Sequence, residues 1–131
     1  MPFTKHLSRP TLRFALGLCL WLPLASFAQT YPDKPIKLIV PFPPGGAMDV
    51  IARALADKSS KSLGQAIIVE NKPGAAQSIG SEFVANAPPD GYTIIMGTIS
   101  AFAINASLYK NLRYSISKDV APISLATSQP L

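Results

Sequence analysis

From Ile36 onward the chain alternates short apolar runs with stretches of helical period. Ile36-Lys37-Leu38-Ile39-Val40 is apolar and β-branched, as a buried parallel strand should be. Pro41-Phe42-Pro43-Pro44-Gly45-Gly46 ends it, and a helix is expected from about Ala47. Val50, Ile51, Ala54 and Leu55 fall at helical spacing and predict its apolar stripe, with Arg53, Asp57 and Lys58 facing elsewhere; Gly64 stops it. Ala66-Ile67-Ile68-Val69 reads as a second strand, Glu70 to Gly74 as a loop, and Ile79, Phe83, Val84 and Ala87 as one face of a second helix. Pro88-Pro89-Asp90-Gly91 is a turn in which proline fixes the approach and Gly91 takes positive φ. Tyr92 to Met96 reads as a third strand, Ala103 to Leu108 as a short helical piece, and Val120 to Ala126 as a fourth strand, with Pro122 suiting a strand start or an edge.

Strand, loop and helix repeating in units this short predict an α/β fold, a three-layer sandwich around a mostly parallel sheet. Right-handed crossovers put every strand-to-helix loop at the carboxyl edge of such a sheet. Three loops should therefore meet there: Pro41 to Gly46, Asn71 to Ala76 and Gly97 to Ser100. All three carry glycine and almost no bulky charge. A helix N-terminus offers unpaired N–H groups and partial positive charge, and Gly45-Gly46 lets an anion approach without a side chain in the way. A small anion is thus the first partner to expect, although neither a GxGxxG nor a GxxxxGK[ST] pattern occurs, which argues against a nucleotide.

The first 28 residues carry a different signal. Lys5, Arg9 and Arg13 precede the apolar run Phe14 to Leu24, and Ser26-Phe27-Ala28 supplies small residues for cleavage after Ala28. This is the pattern of a secretory signal peptide and predicts an exported protein; the run is shorter than the roughly 20 apolar residues of a membrane span. Cleavage removes the single cysteine, Cys19, and the single histidine, His6. Thiolate chemistry, disulfides and histidine-based acid–base catalysis are excluded from the remaining chain, and a metal site would have to use carboxylates alone. The net charge also falls from +5 to +2, nine cations against seven acids, and those cations are scattered. Nucleic-acid and membrane-surface binding lose support accordingly.

Each candidate residue also has a structural role to weigh. Asp49, in the first turn of the first helix, complements the helix dipole or, beyond that, orders the Gly45-Gly46 loop or holds a water that reaches a ligand. Asn71 to Ser78 is an Asn-Pro-Gly turn with N-terminal capping by Ser78 or Gln77, or else a second nest of donors. Lys72 is a solvated loop cation or a ligand clamp, and Thr98 and Ser100 satisfy local backbone groups or supply hydroxyls to an anion. Nucleophilic catalysis at Ser78 or Ser100 would need an adjacent base, so a small secreted hydrolase is the weaker alternative.

These segments resemble the tripartite tricarboxylate transporter receptors, the Bug family of periplasmic solute-binding proteins. The resemblance runs from Tyr31 to the last residue. It rests on Tyr31-Pro32 with Pro35-Ile36, Val40 to Gly46 with Asp49, Val69-Glu70-Asn71-Lys72-Pro73-Gly74-Ala75, Ala87-Pro88-Pro89-Asp90-Gly91-Tyr92-Thr93, Gly97-Thr98, and Ala103-Ile104-Asn105 with Leu108-Tyr109. It implies a two-lobed binding protein of the type II, Venus-flytrap kind. Such a protein captures a small di- or tricarboxylate or related acid for a membrane transporter or a sensor, as a monomer, with no cofactor and no catalysis. It implies a ligand carboxylate held, partly through water, by Phe42, Pro44, Gly45, Gly46, Ala47 and Asp49, by Gly74, Ala75, Ala76 and Gln77, and by Thr98 and Ser100. Two departures alter that grip: Met48 stands where the family often has a small hydroxyl residue, and Gln77-Ser78 replaces a commoner Gly-Asn pair.

Family members of this kind are over twice this length. The resemblance therefore implies residues 29–127 as an incomplete first lobe, 128–131 as the start of a hinge, and a truncated receptor, or a remnant without a working cleft. Three or four loop donors, each worth about 0.5 to 3 kcal/mol, fall short of the roughly 8 kcal/mol of micromolar binding, so the 131-residue chain alone is expected to bind carboxylates weakly or not at all.

Overall fold

The computed structural model describes residues 30–128. Residues 1–28, expected to be a signal peptide, and 129–131, most of the expected hinge start, lie outside the described residues. Strand β1, Ile36–Val40, forms where expected and is the centre of a three-stranded parallel sheet. Strands β2, Ile67–Asn71, and β3, Thr93–Ile95, flank it in the order β2-β1-β3. The register pairs Ile36 with Ile67, Val40 with Asn71, Lys37 with Thr93 and Ile39 with Ile95.

Helix α1, Ala47–Leu63, joins β1 to β2, and helix α2, Ser78–Ala85, joins β2 to β3. The chain moves to one side of β1 and then to the other, so right-handed crossovers lay α1 and α2 on opposite faces of the sheet. Leu38, Val40 and Met96 pack with Ala52 and Ala56 of α1, and Phe42, Met48, Ile51, Ile67, Val69 and Ile94 close around them. On the other face α2 comes so close to the end of β1 that a Cβ on Gly80 would lie 2.9 Å from Pro41 Cβ and 3.1 Å from the Lys72 carbonyl oxygen. Only glycine fits such an approach. The expected α/β layering is present.

The helix faces differ from expectation. The buried face of α1 is Asp49, Ala52 and Ala56, while Val50 and Leu55 are exposed, at 60% and 44%, and Ala54 is exposed too. The Gly-Gly approach sets the phase at which α1 starts, and small Ala52 and Ala56 let it lie close on the sheet. In α2 the buried residues are Gly80, Ser81 and Val84, with Ile79 and Phe83 exposed. Gly64 ends α1 in the left-handed conformation at φ 68°, as expected.

The C-terminal third departs further. A π-helical turn, Ser100–Ile104, leads into helix α3, Asn105–Leu108, and helix α4 spans Ile116–Asp119. Among the described residues 120–126 join no sheet, so the expected fourth strand does not form there. Pro122 lacks the N–H that a ladder needs, and Ile123 and Leu125 stand 78% and 80% exposed.

Candidate functional site

All three strands are parallel, so the loops that follow them lie at one end of the sheet. The order β2-β1-β3 makes the β1/β3 boundary the point where connections diverge, the usual position of a binding crevice in such sheets.

The first loop is held from within. Gly45 has φ 81°, and its N–H donates to Asp49 Oδ2 at 2.9 Å. Asp49 is 3% exposed and accepts two further bonds, from Arg53 Nε at 2.9 Å and from Asn71 Nδ2 at 2.9 Å. The Arg53 guanidinium, then the Gly45 N–H, then the Asn71 amide hold its carboxyl well below the usual carboxylate range. The expectation that Asp49 orders the Gly45-Gly46 loop fits this contact. One part of the donor reading needs correcting: the Gly45 N–H is occupied by Asp49, so open donors in this loop begin at Gly46. Gly46 is the extended N-cap of α1, at φ −80° and ψ 170°, and no side chain caps the helix. The first backbone N–H groups of an α-helix have no intrahelical partner. Pro44, Gly45, Gly46 and Ala47 are exposed, whereas Phe42 is half-buried against the α1-side core.

The second loop is strained. Gly74 has φ 120°, and Ala75, Ala76 and Gln77 follow at 47°, 50° and 73°. Side chains disfavour this region by about 1 to 2 kcal/mol per residue, and strained backbone gathers at functional sites. Gln77 in the left-handed region followed by Ser78 at φ −65° makes a backbone concavity of the kind that binds anions, with the Ser78 N–H already taken by the Ala75 carbonyl. The expected side-chain cap is absent: neither Gln77 nor Ser78 caps α2. Gln77 reaches across to the third loop instead, accepting the Thr98 hydroxyl at 2.9 Å on Oε1. Ser78 Oγ lies 3.4 Å from the Tyr114 hydroxyl. Lys72 is turned away, its ammonium 4.1 Å from the Phe83 ring centroid and 3.8 Å from Glu70 Oε2.

The third loop completes the edge. A Cβ on Gly97 would run into the Phe102 ring, so the π-helical turn folds back directly over this glycine. Thr98 accepts the Phe102 N–H on its carbonyl, and Ser100 opens the π-helical turn. Buried Asn105 donates through Nδ2 to the Ala76 carbonyl at 2.6 Å, pinning the strained turn from α3.

The structure thus joins the second and third loops through two nominated residues, Gln77 and Thr98, and adds ties from Asn71, Arg53 and Asn105, which the sequence reading does not nominate as site residues. Asn71 bonds the Phe42 carbonyl at 3.1 Å as well as Asp49, and the Lys72 N–H bonds the Val40 carbonyl at 2.8 Å. Strand β2 runs two residues beyond Val69, and period-2 alternation then puts Asn71 on the same face as Ile67 and Val69, under α1. Arg53 carries one sequence signal, its i,i+4 spacing from Asp49. Asn105 carries only its place in the Ala103-Ile104-Asn105 segment of the resemblance. Among the described residues no group of three or more His, Cys, Asp or Glu gathers to hold a metal.

Comparison with known proteins agrees with this architecture. Residues 51–131 match the tripartite tricarboxylate transporter family receptor, TctC. Protein BugT of Bordetella pertussis is 44% identical over 105 residues, which cover 79% of this chain and 32% of that protein. Among solved structures, the periplasmic binding protein BugD is 45% identical with a TM-score of 0.62, over 65% of this chain and 28% of that one. MatC from Rhodopseudomonas palustris, solved with bound malate, is 36% identical with a TM-score of 0.64, over 68% of this chain and 30% of that one. The chain spans about a third of the length of the curated relatives it matches. With a family match over most of its length and the same fold as periplasmic binding proteins, the chain belongs to the tripartite tricarboxylate transporter receptor family.

Proposed function

We propose that this chain forms one side of the cleft of a periplasmic solute-binding receptor and grips a small organic acid by its carboxylate. One observation carries the reading. Two backbone donor sites, the N-terminus of α1 and the positive-φ turn before α2, lie at one sheet edge, and no side chain caps either. Family membership and the malate bound to MatC support a carboxylate as the anion. The donors are the N–H groups of Gly46, Ala47 and Met48 on one side and of Gln77 and Ile79 on the other, the Ser78 N–H being bonded to the Ala75 carbonyl. The Thr98 hydroxyl, spent on Gln77 Oε1, holds the second loop in place, and Ser100 completes the grip, with Pro44, Gly45, Gly74, Ala75 and Ala76 as the wall that the ligand touches. Phe42 and Asp49 support the first loop from behind.

Residues 29–127 form a first lobe in this reading, and a second lobe of the kind that the relatives' greater length accommodates reads the far end of the acid. Export by residues 1–28 delivers the protein to the periplasm, where it acts as a monomer and passes its ligand to a tripartite transporter or a sensor, without catalysis. Three or four net hydrogen bonds give about 4 kcal/mol, which corresponds to millimolar affinity. Titration of residues 29–131 with sodium malate, succinate or citrate, followed by amide NMR, should therefore give shifts with millimolar midpoints at Gly46, Ala47, Gln77 and Ile79. Shifts confined to other surfaces, or none at saturating carboxylate, would overturn the proposal.

A further inference from the structure

Three side chains close a ring behind the first loop. Arg53 Nε donates to Asp49 Oδ2 at 2.9 Å, Arg53 Nη2 to Asn71 Oδ1 at 3.1 Å, and Asn71 Nδ2 to Asp49 Oδ1 at 2.9 Å. Asp49 is almost fully buried, while the Arg53 side chain is 53% exposed. The ring holds a full negative charge in the first turn of α1, beside the N–H groups proposed to receive a carboxylate. A carboxylate there competes with any ligand anion for the same partial positive charge and repels it directly. In an anion site such a group is paradoxical unless something cancels it.

We propose that Arg53 is a charge-compensating and positioning residue of this site. Its guanidinium neutralises Asp49, so the carboxylate can fix the Gly45 loop without closing the α1 N-terminus to an anionic ligand. The division of labour on Asp49 is visible in its oxygens: Oδ2 is shared between the Gly45 N–H and Arg53 Nε, and Oδ1 is taken by Asn71. Arg53 also reaches two partners with two different nitrogens, which a lysine ammonium does not reproduce in geometry, although it keeps the charge. Without Arg53 the carboxylate remains ionised on Gly45 with its charge uncompensated. The inference rests on the carboxylate-binding reading above, and Arg53 acts through Asp49 rather than by touching the ligand.

The test is the malate titration of residues 29–131 at matched ionic strength, read at the Gly46 and Ala47 amides, in wild type, Arg53→Gln, Arg53→Lys and the double variant Asp49→Asn/Arg53→Gln. An uncompensated unit charge about one helical turn away weakens anion binding by roughly fourfold in bulk water and on the order of a hundredfold at the dielectric near a protein surface, and a loss of about tenfold or more is expected in Arg53→Gln. Arg53→Lys should stay within about threefold of wild type, because it retains the charge. The double variant should recover most of the loss in Arg53→Gln, since the site is again neutral and the amide oxygen that Asp49→Asn introduces can still accept from the Gly45 N–H. A purely structural role for Arg53 predicts the reverse order, with the double variant binding no better than Arg53→Gln. That order, or wild-type affinity in Arg53→Gln, would overturn the inference, and so would a tenfold loss in Arg53→Lys, which covers the case in which Arg53→Gln does not fold. A wild-type protein with no malate response sinks the carboxylate reading itself, so the two failures are distinct.

Discussion

Asn71 is the test of whether the site is one connected unit. Asn71→Ala removes three hydrogen bonds, to the Phe42 carbonyl at 3.1 Å, to Asp49 Oδ1 at 2.9 Å and from Arg53 Nη2 at 3.1 Å. A neutral bond contributes about 1 kcal/mol net and a charge-assisted one about 1.5 to 3. Their sum is a ceiling, because Arg53 is half exposed and water replaces its lost partner. Loss of Asn71 is therefore expected to cost about 2 to 3 kcal/mol. In a domain of this size that lowers the melting temperature by roughly 10 to 20 °C, at about 4 to 8 °C per kcal/mol.

A second substitution separates geometry from charge. Asn71→Asp keeps an oxygen for Arg53 but sets a second carboxylate against Asp49 Oδ1. Its pKa is raised by that neighbour, so the destabilisation is present above the ordinary carboxylate value and is relieved as pH falls. Near neutral pH it should be at least as unstable as Asn71→Ala, and the difference should close toward about pH 4. Thermal unfolding by circular dichroism across that range measures both effects. The reasoning fails if Asn71→Ala lies within about 0.5 kcal/mol of wild type, or if the gap between the two variants does not change with pH.

Three further outcomes are expected. Ala76→Gly removes a side chain from φ 50° at an exposed position, so it should be neutral or stabilising by up to about 1 kcal/mol in urea unfolding, whereas Ala52→Gly in the buried face of α1 should destabilise by at least about 1 kcal/mol. Gly80→Ala brings its Cβ to 2.9 Å from Pro41 and 3.1 Å from the Lys72 carbonyl oxygen, and the same assay should show a loss of about 1 to 3 kcal/mol. Because the Asp49 carboxyl is held below its ordinary range, the stability that it contributes is fully present above about pH 5 and drains as pH falls through the folded-state value; an acid titration of unfolding should show that component in wild type and not in Asp49→Asn.

The parts of this fold legible in the sequence are those decided locally. Ile36 to Val40 is apolar at every position but Lys37 and bounded by proline, and it is the central strand from its first residue to its last. Gly46 and Gly64 bracket α1 because each end is fixed by backbone chemistry next to it. The helix faces were not legible, because the phase of α1 is set by how Pro41 to Gly46 delivers it to the sheet. An apolar count favours Val50 and Leu55 over Ala52, yet close packing favours the small residues. Val120 to Ala126 has strand composition without a sheet partner among the described residues, and composition alone does not make a ladder. The three loops could be placed from topology, but the side chains that tie them, Asn71, Arg53 and Asn105, depend on contacts 18 to 29 residues apart or on strand length.

The strained turn shows why the second loop in particular escapes local reading. Nothing in Ala75-Ala76-Gln77 favours positive φ, and three such residues together cost about 3 kcal/mol or more. Two tertiary bonds oppose that cost, from Asn105 to the Ala76 carbonyl and from Thr98 to Gln77 Oε1, and at about 1 kcal/mol each they offset most but not all of it. The buried Ser81 hydroxyl on the Gln77 carbonyl narrows the gap further. The turn therefore sits near balance, with its conformation decided by partners in the third loop and α3 rather than by its own sequence. On the proposed function this is a useful place to be: an anion accepting the N–H groups of Gln77 and Ile79 adds the contact that tips the balance, so ligand binding and the order of this loop rise together. Weakening either restraint, by Asn105→Ala or Thr98→Val, should then lower carboxylate affinity in the malate titration while leaving the Asp49 ring and the first loop intact.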